Sequence, residues 1–251
     1  MQTLLWQAID VYRGLGRDGA GLAKVSAIWF GLHVLASYLL APVATHPYAD
    51  MGVLFELLVS LGFTLLMVAN YYAVHIFLLE PDAPPRWLPP LKGMSRYVGV
   101  MFSVTIFAWM GGLIFSIPFH LAWDVVMQIK GIGGEIITPA LPFYFELLPS
   151  IFMALLFSRY LLTAPLLLRG ADHPFHASIR YLRGHVIRLT VLGFILVLPF
   201  LLPIVLWMRV GRYELSDGPL LLLSLFYSLA NLVMVWLEVR LMENEYARRV
   251  K

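Results

Sequence analysis

The stretch "LTVLGFILVLPFLLPIVLW" (residues 189–207) runs for nineteen residues without one ionisable side chain. As an α-helix rising about 1.5 Å per residue it covers roughly 28 Å, close to the roughly 30 Å hydrocarbon core of a bilayer. A soluble α/β reading fails, because its apolar positions would alternate with polar ones. Outward from this run the same pattern recurs, giving expected spans near 21–43, 51–80, 95–127, 141–168, 186–209 and 218–242. Composition agrees: 60% of residues are hydrophobic, 13% are charged and the mean hydropathy is +0.80, against about 25% charged in a typical soluble domain. The expected fold is all-α: a polytopic membrane protein with six transmembrane helices forming a single integral membrane domain over residues 1–251. No expected extramembrane segment exceeds roughly 20 residues, too few to bury a soluble core. There is no cysteine, which removes disulfides, thiolate metal sites and thiol nucleophiles together.

The basic residues divide unevenly between the two sides. Arg13, Arg17 and Lys24 precede or enter the first span, and Arg86, Lys92 and Arg96 follow the second. Arg169, Arg180, Arg183 and Arg188 follow the fourth, and Arg240, Arg248, Arg249 and Lys251 close the chain. With Arg159, in the inner half of span four, they are fifteen of the eighteen Lys and Arg residues, leaving Lys130, Arg209 and Arg212 opposite. The positive-inside rule then places both termini in the cytoplasm. No basic region followed by a short apolar stretch and a small-residue cleavage site opens the chain, so no cleaved signal peptide is expected. Leu4, Leu5, Ala8, Ile9, Tyr12 and Leu15 instead recur at helical spacing, predicting an amphipathic helix over 3–15 lying in the interface. The Pro-rich "EPDAPPRWLPP" (80–90) reads as a stiff connector.

The stretch "ADHPFHASIRYLRGHVIR" (171–188) gathers His173, His176 and His185 among arginines. Pro174 suits the first turn of a helix, and Phe175, Ile179, Leu182 and Val186 then form one apolar stripe. His176 and His185 fall about 180° apart around the axis at about 100° per residue, and His173 precedes a proline that biases it out of helical geometry. The spacing therefore does not preset a shared metal. It predicts a basic amphipathic helix over 174–187, with Arg180, Arg183 and Arg188 toward anionic headgroups and Gly184 permitting a bend into the next span.

Residues 157–200, "FSRYLLTAPLLLRGADHPFHASIRYLRGHVIRLTVLGFILVLPF", with "ANLVMVWLEVRLMENEYARRV" (230–250), resemble the YciC-like family of polytopic bacterial membrane proteins. They also resemble the related membrane domain attached to some glycerophosphodiester phosphodiesterases. The shared pattern is an Arg in the inner half of a span (Arg159), a Pro some six residues on (Pro165), a short loop, a surface helix with small residues (Ala177, Ser178), then a base and Gly (Arg183, Gly184) before another span. About the last 95 residues fit. The resemblance implies a multi-pass protein of the bacterial inner membrane and carries over no catalytic residue.

Ionisable groups at membrane depth are functional candidates. Arg159 is expected about 13 Å from the end of its span at 1.5 Å per residue; His75 and Glu238 could approach it, and a structural pair with Glu238 is the preferred reading, with snorkelling to the headgroups or contact with an anionic lipid or substrate as the alternatives. On the other side His120 and Asp124, i and i+4, could offer two ligands to Zn²⁺ or Mn²⁺ with Glu56 or Glu146 as a third; solvated groups at a span end are the preferred reading, so no metal and no cofactor are expected. No His-Glu-x-x-His, Gly-x-Ser-x-Gly or phosphate-cradling Gly-rich loop occurs. The basic face balances lipid, so no nucleic acid partner is expected. The expected role is non-enzymatic: an accessory or envelope-organising component contacting anionic lipid, with an unidentified membrane-protein partner allowed. A transporter or permease is the alternative, which requires a water-filled central pocket lined by Arg159, His75, Asn70 or Glu238. An intramembrane enzyme stands third.

Overall fold

The computed structural model describes residues 3–45, 52–80, 93–130, 151–210 and 217–250. They form helices α1 (Leu4–Thr45), α2 (Gly52–Leu79), α3 (Met94–Lys130), α4 (151–159), α5 (Thr163–Leu168), α6 (Pro174–Tyr181), α7 (Val186–Val210) and α8 (Asp217–Arg249), with no strand among the described residues. Leu4–Tyr38, Leu61–Leu79, Ile151–Leu168 and Gly218–Arg249 are long and apolar enough to cross a membrane. Pro174–Tyr181 with Val186–Phe200, bent by 94°, makes a fifth if taken as one broken span. The third expected span, 95–127, falls within helix α3, which is not among the helices that the described residues show to be long and apolar enough to cross a membrane; of the expected span 141–168 only the part from 151 lies within the described residues. Large apolar side chains face outward, among them Ile187 at 74% and Leu198 at 66% exposure. Exposure on that scale suits lipid and not water.

Helix α8 is the hub, packed on α1, α7, α2 and α5, and the α1 to α8 interface is the most extensive. The two run antiparallel: His33 meets Ser228, Ser26 meets Trp236, and Asp18 meets Arg240. The first turns of α1 and the last turns of α8 therefore share one end of the bundle. Helix α2 ends there too, since Asn70 meets Ser26 and the Phe77 ring abuts Gly21. At both Gly14 and Gly21 an added Cβ would collide, with Arg240 and with Phe77 respectively. These glycines let α1 approach its neighbours, as small residues do between membrane helices.

The expected separation of an interfacial helix over 3–15 from a first span over 21–43 is corrected. Helix α1 is continuous for 42 residues. Its buried positions Ala8, Val11, Gly14, Leu22 and Val25, with the half-buried Asp18 between Gly14 and Leu22, keep three- and four-residue spacing through the glycine-rich middle. Packing against α8 then overrides the local cost of glycine, about 1 kcal/mol each relative to alanine in a helix.

The second amphipathic helix also differs, ending at Tyr181 and not at 187. Beyond it the chain tightens through Leu182 to His185, where the His185 N–H bonds the Leu182 carbonyl at 2.9 Å. Gly184 adopts φ 77°, a left-handed conformation that glycine reaches without strain. That residue makes the expected bend. The buried positions of α6 are Pro174 and Ser178, with Leu182 fully buried just beyond, while Phe175, Ile179 and Val186 are half-buried.

Candidate functional site

Ser178 fixes how α6 sits on α4. Past Arg159 the helix tightens to three-residue hydrogen bonds, Tyr160 N–H to Phe157 carbonyl at 3.0 Å and Thr163 N–H to Tyr160 carbonyl at 2.9 Å. The Leu162 N–H, displaced from the helical ladder, donates to Ser178 Oγ at 3.2 Å, and that hydroxyl donates to the Arg159 carbonyl at 3.2 Å. Insertion of a side chain into the ladder is a recognised cause of a break. Pro165 follows in the first turn of α5, where its missing N–H costs little. Thr190 of α7 donates to Ser158 at 2.9 Å, tying the far side of the bend to the same turn.

This docking gathers Arg159, His176, Arg180 and Arg183 around a groove of about 690 Å³. All four side chains are exposed. Its floor is apolar, from Leu155, Leu156, Ile179 and Val186, and among the described residues no carboxylate lines it. Arg188, half-buried on the first turn of α7, does not reach the groove. A second groove of about 440 Å³ lies across α6, where Asp172, His173 and His176 meet Arg180 and Tyr181. The His173 and His176 rings lie 6.4 Å apart, and His185 does not join them: among the described residues no three His, Asp or Glu side chains are disposed to share a metal ion. The side chains of His120, Asp124 and Glu56 lie outside the description, and Glu146 lies outside the described residues altogether.

The expected Arg159 to Glu238 pair is not formed. Neither residue takes part in an ion pair among the described residues. The carboxylates are spent elsewhere. Glu243 holds Arg169 through two hydrogen bonds of 2.6 and 3.2 Å, and the Arg169 guanidinium stacks 4.0 Å from the centre of the Tyr246 ring. His75, fully buried, turns Nε2 toward Glu243 at 3.8 Å. With its proton on Nε2, Nδ1 accepts from the Tyr97 hydroxyl 2.8 Å away. Asp18 pairs with Arg240 at 3.0 Å, and the buried Glu245 takes both Arg248 and Arg249. Sequence reading placed His75 at the correct end but missed Arg169, Glu243 and Tyr97. The one local signal was Glu245 four residues before Arg249, a favourable order on a helix.

Deeper in the bundle, Trp236 Nε1–H donates to Ser26 Oγ, and Ser26 donates to Asn70 Oδ1, both at 2.9 Å. The Ser228 and Ser37 hydroxyls approach His33 Nδ1 at 2.9 and 3.2 Å. Beside them Trp29, His33, Asn70 and Asn231 line a cavity of about 20 Å³, room for about one water molecule. Arg159, His75 and Glu238 do not line it.

The chain matches no known family model, no curated protein and no solved structure. The resemblance drawn from residues 157–200 and 230–250 stands on those residues alone.

Proposed function

We propose that this chain is a multi-pass protein of the bacterial inner membrane with both termini in the cytoplasm, and that it has a non-enzymatic, accessory or organising role there. Its basic face, carried by Arg180, Arg183 and Arg188, contacts anionic headgroups of the inner leaflet. The observation that carries this reading is the bend between α6 and α7: guanidinium groups with no carboxylate partner among the described residues stand beside outward apolar side chains such as Ile187. That juxtaposition suits the boundary between headgroups and acyl chains, where each basic residue contributes about 1 kcal/mol toward an anionic leaflet. The cavity beside His33 and Asn70 has the volume of about one water molecule, too small for a transported substrate, which needs several hundred Å³.

The test is lipid selectivity at the protein surface. Spin-labelled phosphatidylglycerol and phosphatidylcholine are compared for the fraction immobilised by the reconstituted protein, at low and high salt. The phosphatidylglycerol preference is expected to be several-fold at low salt, to shrink at high salt, and to fall in an Arg180→Gln, Arg183→Gln, Arg188→Gln variant. Equal immobilisation of the two lipids at every salt concentration would remove the proposal.

A further inference from the structure

We infer that the groove beneath the bend is a discrete site for one anionic glycerophospholipid, with Arg159, Arg180 and Arg183 on its phosphate and one acyl chain over Leu155, Leu156, Ile179 and Val186. The inference rests on the reading of the basic face as a lipid-contacting surface and adds a stoichiometry, a headgroup chemistry and a key residue, Arg159.

Three observations combine. First, the groove gathers arginines without carboxylate partners. Arg17, Arg169, Arg240, Arg248 and Arg249 are paired; Arg13, Arg96 and Arg188, like the three that line the groove, have no carboxylate partner among the described residues, but only the three share one groove. Three arginines lining one groove give it a local positive potential with no carboxylate to offset it; Arg180, whose guanidinium lies 5.4 Å from the centre of the Tyr181 ring, stands between this groove and the second one. An anion among them offsets that potential, and guanidinium forks match the geometry of phosphate oxygens. Second, the groove has two chemistries in one volume. Its cationic rim faces an aliphatic floor, and its volume of about 690 Å³ exceeds what a bare phosphate fills, lying within the roughly 300–1,000 Å³ of small-molecule sites. A soluble phosphate would leave the floor bare; a glycerophospholipid covers both. Third, the positions are fixed by the fold. Arg159 comes from the end of α4 and Arg180 from α6, and the Ser178 hydroxyl joins those two segments through two hydrogen bonds. A diffuse basic surface needs no such joint. Arg159 has no place in the pairing network around Glu243, which leaves its side chain free to serve the groove.

The experiment is native mass spectrometry of the whole protein, released from nanodiscs of phosphatidylglycerol and phosphatidylethanolamine in equal parts. The expected result is one phosphatidylglycerol retained per chain, at least fivefold over phosphatidylethanolamine. Arg159→Gln should lower that retention about tenfold and Arg159→Lys should restore part of it, while Arg96→Gln, with the same loss of charge at an exposed arginine outside both the groove and the basic face, should leave it unchanged. Ile179→Trp, which fills the floor at constant charge, should also abolish retention. Unfolding midpoints of each variant in detergent confirm that it is folded before its adducts are read. Equal partial losses in Arg159→Gln and Arg96→Gln would overturn the discrete site while leaving the lipid-contacting face intact. Unaltered retention in a folded Ile179→Trp would overturn it as well, as would displacement by millimolar glycerol 3-phosphate, which would assign the groove to a soluble anion. Loss of any preference in the unmodified protein would remove both the site and the reading beneath it.

Discussion

At the scale of single residues, the polar groups divide into those that hold helices together and those that face outward. Glu243 belongs to the first kind: its side chain is 13% exposed and holds an Arg169 side chain that is 26% exposed. Removing one partner of such a half-buried pair leaves a charge without compensation, at a cost of about 2–4 kcal/mol. Glu243→Ala is therefore expected to lower the unfolding midpoint in mild detergent by several degrees, and the double variant with Arg169→Ala to recover part of the loss, as a thermal melt of the four proteins would show. Arg159→Ala should leave the midpoint within about a degree, since the side chain is exposed and unpaired. Ser178→Ala removes the acceptor of the buried Leu162 N–H and should cost about 1–3 kcal/mol. The sequence identified the right kind of pair and the wrong members. Depth along a helix can be read from span ends, but which Arg meets which Glu depends on helix rotation and register. Arg159 is read inside the fourth span and Arg169, ten residues on, beyond its end, which favours Arg159 as the paired member. Only the three-residue hydrogen bonds after Arg159, set by a serine nineteen residues away, decide that Arg159 faces out.

At the scale of elements, the bend at Gly184 was legible because a glycine between a surface helix and an apolar run has few other uses. Its φ of 77° disfavours a branched side chain, and nothing lies within 4 Å of a Cβ placed there. Gly184→Val should cost about 1–2 kcal/mol from backbone strain alone, and Gly184→Asn, which tolerates the left-handed region, distinctly less. Comparing the two melts separates conformational strain from steric conflict. Helix α1 was less legible. The run "GLGRDGAGLAK" (14–24) carries four glycines and three charges, which read locally as a break between a surface helix and a span. Its order comes from α8, 200 residues away in sequence. Gly21→Ala tests this directly: the new methyl meets the Phe77 ring, so the variant should be destabilised and Phe77→Leu should partly restore it, a coupling that a double-variant cycle measures.

At the scale of the whole molecule, the antiparallel pairing of α1 with α8 brings the start of one and the end of the other to the same end of the bundle. A reporter active only in the cytoplasm, fused at either terminus, is expected to be active in both fusions, and a phosphatase active only in the periplasm silent in both. Opposite signals from the two ends would contradict the pairing itself. Like signals from the periplasm would reverse the orientation drawn from the basic residues. Hydropathy made the helical class and the apolar spans readable because each span must bury its surface in lipid along its own length. The order in which helices pack was not readable, because lipid presents the same solvent to every outward face and leaves the choice of neighbour to small residues and a few hydrogen bonds.

Helix α1 has one further mechanical implication. At 42 residues it is about 63 Å long at 1.5 Å per residue, twice the thickness of the hydrocarbon. Seated in a bilayer as proposed, its outer part would turn with the part within, because the helix is continuous. Membrane helices answer a change in bilayer thickness by leaning, and a lean of about 10° would carry the far tip of a rod about 63 Å long sideways by about 10 Å. Helix α8, bound along it, would travel too, so that a small variation in the lipid layer would become a far larger displacement at the end the two helices share.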